Sequence, residues 1–117
     1  MASTLDRDQV RARFHDAVNM DPAELEEWLQ CEESRKVGFT RAGEAESIGH
    51  ASGRRIVTLL RKREAELDDD DYAHMRNVVG FVKRHAAQQP ENIVTSRWRY
   101  SLMNWGHDPI KERHEGL

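Results

Sequence analysis

Basic residues recur seven positions apart in this sequence, a spacing that is typical of a surface binding a polyanion. Arg54 and Arg61 form one such pair, and Arg55 and Lys62 form a parallel pair beside them. Residues seven apart lie on one face of a helix, about 10 Å apart along its axis. Guanidinium groups in such a grid are suited to phosphates, because each can donate two parallel hydrogen bonds.

The second basic segment repeats the first in looser form, 22 positions further along the chain. Residues 50–63 align at this offset with residues 72–85, so that Arg54 meets Arg76, and neither segment contains an acidic residue. Two matched basic helices of this kind indicate a face that contacts a nucleic-acid backbone. The cations that we expect to contact phosphates are Arg54, Arg55, Arg61, Lys62, Arg76, Lys83 and Arg84.

Charge balance constrains this hypothesis. The net charge is −3, so the chain does not coat DNA by bulk attraction, and a nucleic-acid site must be local. Residues 1–33 hold three basic and nine acidic residues, whereas residues 34–117 hold 15 basic and 12 acidic ones. The cations therefore also fit a protein-interaction module in which the arginines pair with the acidic N-terminal helices. In a simpler interpretation they are solvated groups that complement the dipoles at helix C-terminal ends.

Aromatic and basic residues alternate near the end of the chain, as they do in proteins that stack the bases of single strands. However, Trp98, Leu102 and Trp105 keep helical spacing, which favours burial in a core. Tyr100 and Met103 point away from that face. They would either close the core from a second side or contact a second copy of the chain. A homodimer through Tyr100 and Met103 is the partner expected under the protein-interaction hypothesis.

The histidines do not have the spacing of a metal site. No two of them stand at the short separation of zinc ligands, and the single Cys31 has no companion. His74 and His85 share a helical face but lie about 16 Å apart. The acidic run at 68–71 lacks the glycine and the distant glutamate of a calcium loop. We expect no metal and no cofactor. The histidines are His15, His50, His74, His85, His107 and His114.

The compact serine and histidine cluster of the sequence is Ser47, His50 and Ser52. No acid with a clear orienting role adjoins it, since Glu46 is more simply a charge in a loop. The segment 49–53 holds two glycines without the spacing of a phosphate loop, and it is as consistent with a turn that leads into a helix. We therefore expect no catalytic residues and no enzymatic activity.

Helix signals dominate the chain and no alternating strand pattern is present. Thr4 is a candidate cap for a first helix, and residues 21–24, Asp-Pro-Ala-Glu, form a capping box with proline in the first turn of a second. Helix three begins near Ser47 or His50 and runs to about Leu67. Its expected inner face comprises Ile56, Leu59, Leu60 and Arg63.

A fourth helix follows the acidic run at 68–71, whose carboxylates suit a helix N-terminus. Its apolar stripe comprises Tyr72, Met75, Val79, Val82 and Ala86, and Gly80 interrupts it where another backbone is expected to approach. A last helix is capped by Asn92 or Thr95, and residues 31–47 form an irregular link. The sequence thus predicts a compact all-α domain of about five helices, with a central αα-hairpin and no sheet.

With 117 residues the chain has room for one domain, expected to span 1–117. Its apolar runs are shorter than the roughly 20 residues of a membrane helix, and its first residues lack the pattern of a signal peptide. Together with the single cysteine, these features predict a cytoplasmic protein without membrane contact. The tail at 111–117 is expected to fray.

The chain resembles a family of short bacterial and fungal proteins that is catalogued as domain of unknown function 3140. The most specific match is the stretch RWRYSLMNWGHDP at 97–109, and the similarity spans about 18–111. Some members of the family bear the label "DNA-binding", so the resemblance implies DNA rather than RNA as the partner. It implies no catalytic or binding residue. The other matching stretches are 18–20, 24–29, 33–38, 46–50, 52–57, 70–76 and 78–80.

Overall fold

The computed structural model describes residues 4–111, and over this range the chain consists of helices without a strand. The all-α fold class predicted from the sequence is confirmed. The helices are α1 (Thr4–Ala17), α2 (Pro22–Leu29), α3 (Glu32–Lys36), α4 (Ile48–Arg61), α5 (Asp69–Ala86) and α6 (Arg97–Asn104), with a short 3-10 helix at Glu64–Glu66 between α4 and α5. The helix α3 interrupts the segment that was expected to be irregular. Residues 112–117, most of the tail expected to fray, and His114 lie outside the described range.

Side chains at the helix starts explain where the helices begin. Asp21 accepts the backbone N–H of Glu24 at 2.8 Å and Glu24 returns the contact, which confirms the predicted capping box. Ser47 caps α4 in the same way. The cap of α6 is Ser96, whose Oγ accepts the N–H of Arg99 at 3.1 Å, so the prediction of Asn92 or Thr95 was wrong.

Helix α4 ends earlier than the sequence predicts. It stops at Arg61, and Lys62 continues in extended conformation into the 3-10 helix, whereas the expected end was near Leu67. The placement of Arg63 on the inner face is wrong, because its side chain is 87% exposed and contacts Glu66.

The core lies where the apolar faces of α1, α2, α4, α5 and α6 meet. Helix α1 packs mainly on α5 and α2 mainly on α4, and α6 contacts α2, α3, α4 and α5. Each fully buried apolar side chain stabilises the fold by roughly 1.5–3 kcal/mol. Val78 is fully buried although it stands outside the stripe expected for α5, while Val79 of that stripe is half-buried. The largest apolar side chains that are fully buried are Phe14, Leu25, Ile56, Met75, Val78 and Leu102.

The indole of Trp105, just after α6, occupies the space between α4 and α5. Its ring stacks on Phe81 of α5, with centroids 4.4 Å apart, and a Cβ at Gly49 of α4 would lie 2.9 Å from its Nε1. The two helices that resemble each other in sequence therefore meet largely through a third element. Trp105 is half-buried in this position, whereas the sequence favoured burial in the core.

Gly53 rather than Gly80 is the glycine at a close backbone approach. A Cβ at Gly53 would lie 2.5 Å from the carbonyl oxygen of Asn104 and 2.6 Å from a methyl carbon of Leu29. A Cβ at Gly80 would meet the guanidinium of Arg84, one turn along the same helix. The expectation that Gly80 marks a neighbouring backbone was therefore wrong.

Candidate nucleic-acid interface

The basic pairs of α4 lie on two sides of the helix, and each pair faces carboxylates. Arg54 contacts Glu46 through two hydrogen bonds, of 2.8 Å from Nε and 2.5 Å from a terminal nitrogen. Arg61 contacts Glu26 of α2 at 2.9 Å. Both arginines line a groove of about 610 Å³ between α2 and α4. The two arginines of this groove are thus paired with glutamates.

On the other side of α4, two cations converge on one buried carboxylate of α5. Lys62 Nζ lies 2.8 Å from one oxygen of Asp71, and Arg55 lies 3.4 Å from the other. Burial alone would raise the pKa of Asp71, but the hydrogen bonds from Lys62 and from the backbone of Asp68 outweigh it and lower the pKa. The same contact raises the pKa of Lys62. Asp71 therefore holds its charge inside the fold.

The expectation that the predicted cations stand clear of carboxylates is wrong for Arg54, Arg55, Arg61 and Lys62. Their partners come from α2, from the link before α4 and from α5. Glu46, Asp71 and Glu26 thus neutralise four of the seven predicted cations.

The cations of α5 are placed differently. Arg76, Lys83 and Arg84 are exposed, and none of the three forms an ion pair with a carboxylate in the described range. Helical geometry puts Arg76 and Lys83 on one side of α5, whereas Arg84 extends back over Gly80 on another. These three groups remain available to an anion.

The predicted serine and histidine cluster does not form a catalytic arrangement. Ser47 serves as the cap of α4. His50 is held between Glu46, on Nδ1, and the carbonyl oxygen of Leu29, 2.6 Å from Nε2, so neither ring nitrogen faces a serine hydroxyl. The hydrogen bond from Arg54, with help from His50, lowers the pKa of Glu46 to about 2. Glu46, which was expected to be a simple charge in a loop, thus orients the side chains of Arg54 and His50.

Ser52 instead forms a hydrogen bond with His74, which lies 22 positions further along the chain, the same offset as that of the two basic segments. Its Oγ lies 2.8 Å from Nε2 of the imidazole and links α4 to α5. Burial lowers the pKa of His74 and the nearby Arg55 lowers it further, against the opposing effect of Asp71. A neutral imidazole can accept from the serine hydroxyl or donate to it at this nitrogen, and in either tautomer the contact joins two helices. Within the described residues, no three His, Cys, Asp or Glu side chains converge as metal ligands would.

A row of aromatic rings crosses the surface beside these contacts. Phe81 stacks on Trp105 on one side and on His85, at 5.0 Å, on the other, and His74 lies parallel to Trp105 at 6.2 Å. All four rings are half-buried. The spacing of aromatic residues in and after α6 does not indicate this row, because three of its four rings come from α5.

Two cavities flank Trp105. The aromatic slot, of about 210 Å³, lies between Phe39, Phe81 and Trp105, above Ile48 and Gly49 of α4. The basic hollow, of about 300 Å³, shares Ile48 and Trp105 with the slot, and Glu44 is an acid in its lining. Sequence reasoning missed Phe39 and Arg41 because both stand in the irregular link. The polar groups of the hollow are Arg41, Glu44, Ser52, Arg55, His74 and Asn77.

Tyr100 and Met103, the face predicted to bind a second copy, are both half-buried within the chain. The ring of Tyr100 lies 5.4 Å from that of Trp28, and Met103 packs against the core. A homodimer through this face stays a prediction. None of the helices in the described range is both long and apolar enough to cross a membrane.

A protein-family model matches most of the chain. The model of the family described as "Protein of unknown function (DUF3140)" matches residues 13–103, against the 18–111 expected from the resemblance. No curated protein and no solved structure matches the chain.

Proposed function

The chain belongs to the DUF3140 family, and we propose that it is a non-catalytic DNA-binding protein whose first phosphate contacts come from α5. The observation that carries this proposal is the exposure of Arg76, Lys83 and Arg84 without carboxylate partners in the described range. Cations without partners bind phosphate without first breaking an ion pair, so they contribute most to affinity.

The cations of α4 contribute less to the affinity for DNA. The contribution of each decreases with the strength of its ion pair to a carboxylate of the chain. Exposed ion pairs are worth only about 0–1 kcal/mol, and the side chains of Arg61 and Glu26 are each 51% exposed. A phosphate can therefore replace Glu26 at small cost. Lys62 is held most firmly, because its partner Asp71 is only 6% exposed and would be left buried without a partner.

Salt dependence tests this proposal directly. The full chain is titrated into labelled duplex and single-stranded DNA at several salt concentrations. With three phosphates engaged, log affinity should fall against log salt with a slope of about −2.7 on duplex and about −2.1 on single strands. The triple variant Arg76→Glu, Lys83→Glu and Arg84→Glu should lose binding to every sequence alike. The control is Arg63→Glu, which reverses an exposed charge outside the proposed contacts.

A protein-interaction module is the second candidate, and the pairing of four predicted cations with the chain's own carboxylates favours it. Absence of binding to any nucleic acid at low salt, or a salt response that is flat, would decide for this module and against the DNA proposal. Retention of full affinity by the triple variant would remove α5 as the contact surface.

A further inference from the structure

We propose that the aromatic slot binds one unpaired base of a single-stranded nucleic acid, which stacks on the ring of Phe39 and meets the edges of Phe81 and Trp105 with its other side. This inference rests on the proposed function and specifies its substrate. The slot is lined by none of the seven cations that were predicted from the sequence.

The two walls of the slot are fixed in different ways. Phe81 and Trp105 are stacked at an interplanar angle of 15°, and the turn after α6 is held by the N–H of Trp105, which donates to Leu102 at 3.0 Å. The opposite wall, Phe39, is 71% exposed, yet its carbonyl oxygen accepts the N–H of Ile48 at 2.9 Å. A phenylalanine ring is thus anchored by its backbone while its side chain faces water.

Because this ring is exposed, the fold does not gain the roughly 1.5–3 kcal/mol of stability that burial of a phenylalanine side chain provides. A planar ligand in the slot would cover Phe39 on one side and the edge of the aromatic row on the other. Stacking of a base on an aromatic side chain is worth about 1–3 kcal/mol and does not depend on which base is bound.

The charge around the slot favours a nucleotide over an apolar peptide. Beyond Trp105, the basic hollow brings Arg41 next to the slot, together with Arg55, which is paired with Asp71, and with the carboxylate of Glu44. On the α5 side, Arg84 folds over Gly80, the neighbour of Phe81. A strand whose base enters the slot therefore finds cations for its phosphates in both directions, which is the combination that single-strand binding requires.

The indole N–H of Trp105 adds a hydrogen-bond donor. Trp28 donates to Asn104 at 2.8 Å and Trp98 donates to the carbonyl oxygen of His85 at 2.6 Å. The indole of Trp105 has no such partner among the described residues. Its Nε1 lies over Gly49, a residue that lines the slot, so this donor is available to a base edge there.

A single exposed side chain tests the slot without disturbing the core. The full chain and its Phe39→Ala variant are titrated with a labelled oligothymidine strand and with a duplex of equal length at low salt. We expect Phe39→Ala to weaken single-strand binding about 5- to 100-fold, which is the loss of one stacking contact, and to leave duplex binding unchanged. Phe39→Trp should restore single-strand affinity. The matched control is Val94→Ala, which truncates another exposed apolar side chain outside the slot.

The outcomes separate the two proposals. Unchanged single-strand affinity in Phe39→Ala, or an equal loss on both forms, would overturn the slot while binding by the α5 cations stands. Absence of binding by the unmodified chain to either form would overturn both. If Phe39→Ala instead changes the mass of the particle in light scattering and no strand binds, the occupant of the slot is a protein surface.

Discussion

Lys62 and Asp71 join the end of α4 to the start of α5 through a hydrogen bond of 2.8 Å. Asp71 is only 6% exposed, and it accepts from the backbone N–H of Asp68 as well, so one carboxylate closes the cap of α5 and fixes the C-terminus of α4. Arg55 approaches the other oxygen of the same carboxylate. Asp71 thus links the two repeated helices, in addition to the Ser52–His74 contact and the packing of both helices on Trp105.

Replacement of Asp71 by Asn should destabilise the chain strongly. The change removes the charge that Lys62 and Arg55 share, and hydrogen bonds to charged groups contribute about 1.5–3 kcal/mol each. We expect a loss of about 2–4 kcal/mol in urea unfolding, given that two cations lose their partner. Asp70→Asn, an exposed acid of the same turn, is the control and should have little effect. Equal stability of the two variants would contradict the assigned role.

Glu46 should make stability depend on acid pH. Its pKa is lowered in the folded chain to about 2 from the ordinary 4.5, first by the hydrogen bond from Arg54, so the stabilisation is complete above the unfolded value and is lost as pH falls through the folded one. Because the side chain of Arg54 is 63% exposed, solvent screens the pair and the effect should be about 1–2 kcal/mol.

The measurement is the unfolding midpoint between about pH 5 and pH 2, the range over which a lowered carboxyl pKa acts. Glu46→Gln should flatten this pH dependence. Glu44→Gln, in the same link, serves as the control because Glu44 has no ion pair among the described residues. A slope that survives in Glu46→Gln would assign the dependence to another acid.

Gly53 of α4 and Gly80 of α5 should respond in opposite directions to replacement by alanine. A methyl group at Gly53 would meet the backbone oxygen of Asn104, which cannot move without shifting α6, so Gly53→Ala should cost about 1–3 kcal/mol. At Gly80 the added methyl meets the flexible end of Arg84, and the gain in helix propensity is roughly 0.5–1 kcal/mol. Thermal unfolding of both variants checks this, and a stabilising Gly53→Ala would refute the close approach.

Asn104 should be the most sensitive polar position of the core. Its side-chain oxygen accepts from Trp28 at 2.8 Å and from Ser34 at 2.5 Å, and its amide donates to the carbonyl oxygen of Ser34 at 2.9 Å. Asn104→Ala leaves these buried groups without partners at about 1–3 kcal/mol each, so a loss of about 3 kcal/mol or more is expected. Asn92→Ala, at an exposed position, is the control in the same denaturation series.

Much of the fold could be predicted because the signals were local. The capping box of Asp21 and Glu24 and the cap at Asp68 depend on residues three positions apart, which a sequence displays directly. Most of the buried face of α5 follows from apolar spacing, since Tyr72, Met75 and Val82 of the predicted stripe are buried. The predictions were wrong for Arg63 and for the cap of α6. At these positions several polar residues are possible, and the packing of the chain decides among them.

The sequence by itself determined most of the helices, the starts of α2, α4 and α5 and much of their apolar faces, because these depend on contacts within one or two turns. The tertiary structure alone decided which charges meet: Arg61 and Glu26 are 35 positions apart, and Ser52 and His74 are 22 apart. It also placed Phe39 in the lining of the same cavity as Phe81 and Trp105. Burial of the apolar faces sets how the helices pack, and the weaker polar contacts form wherever that packing brings their groups together.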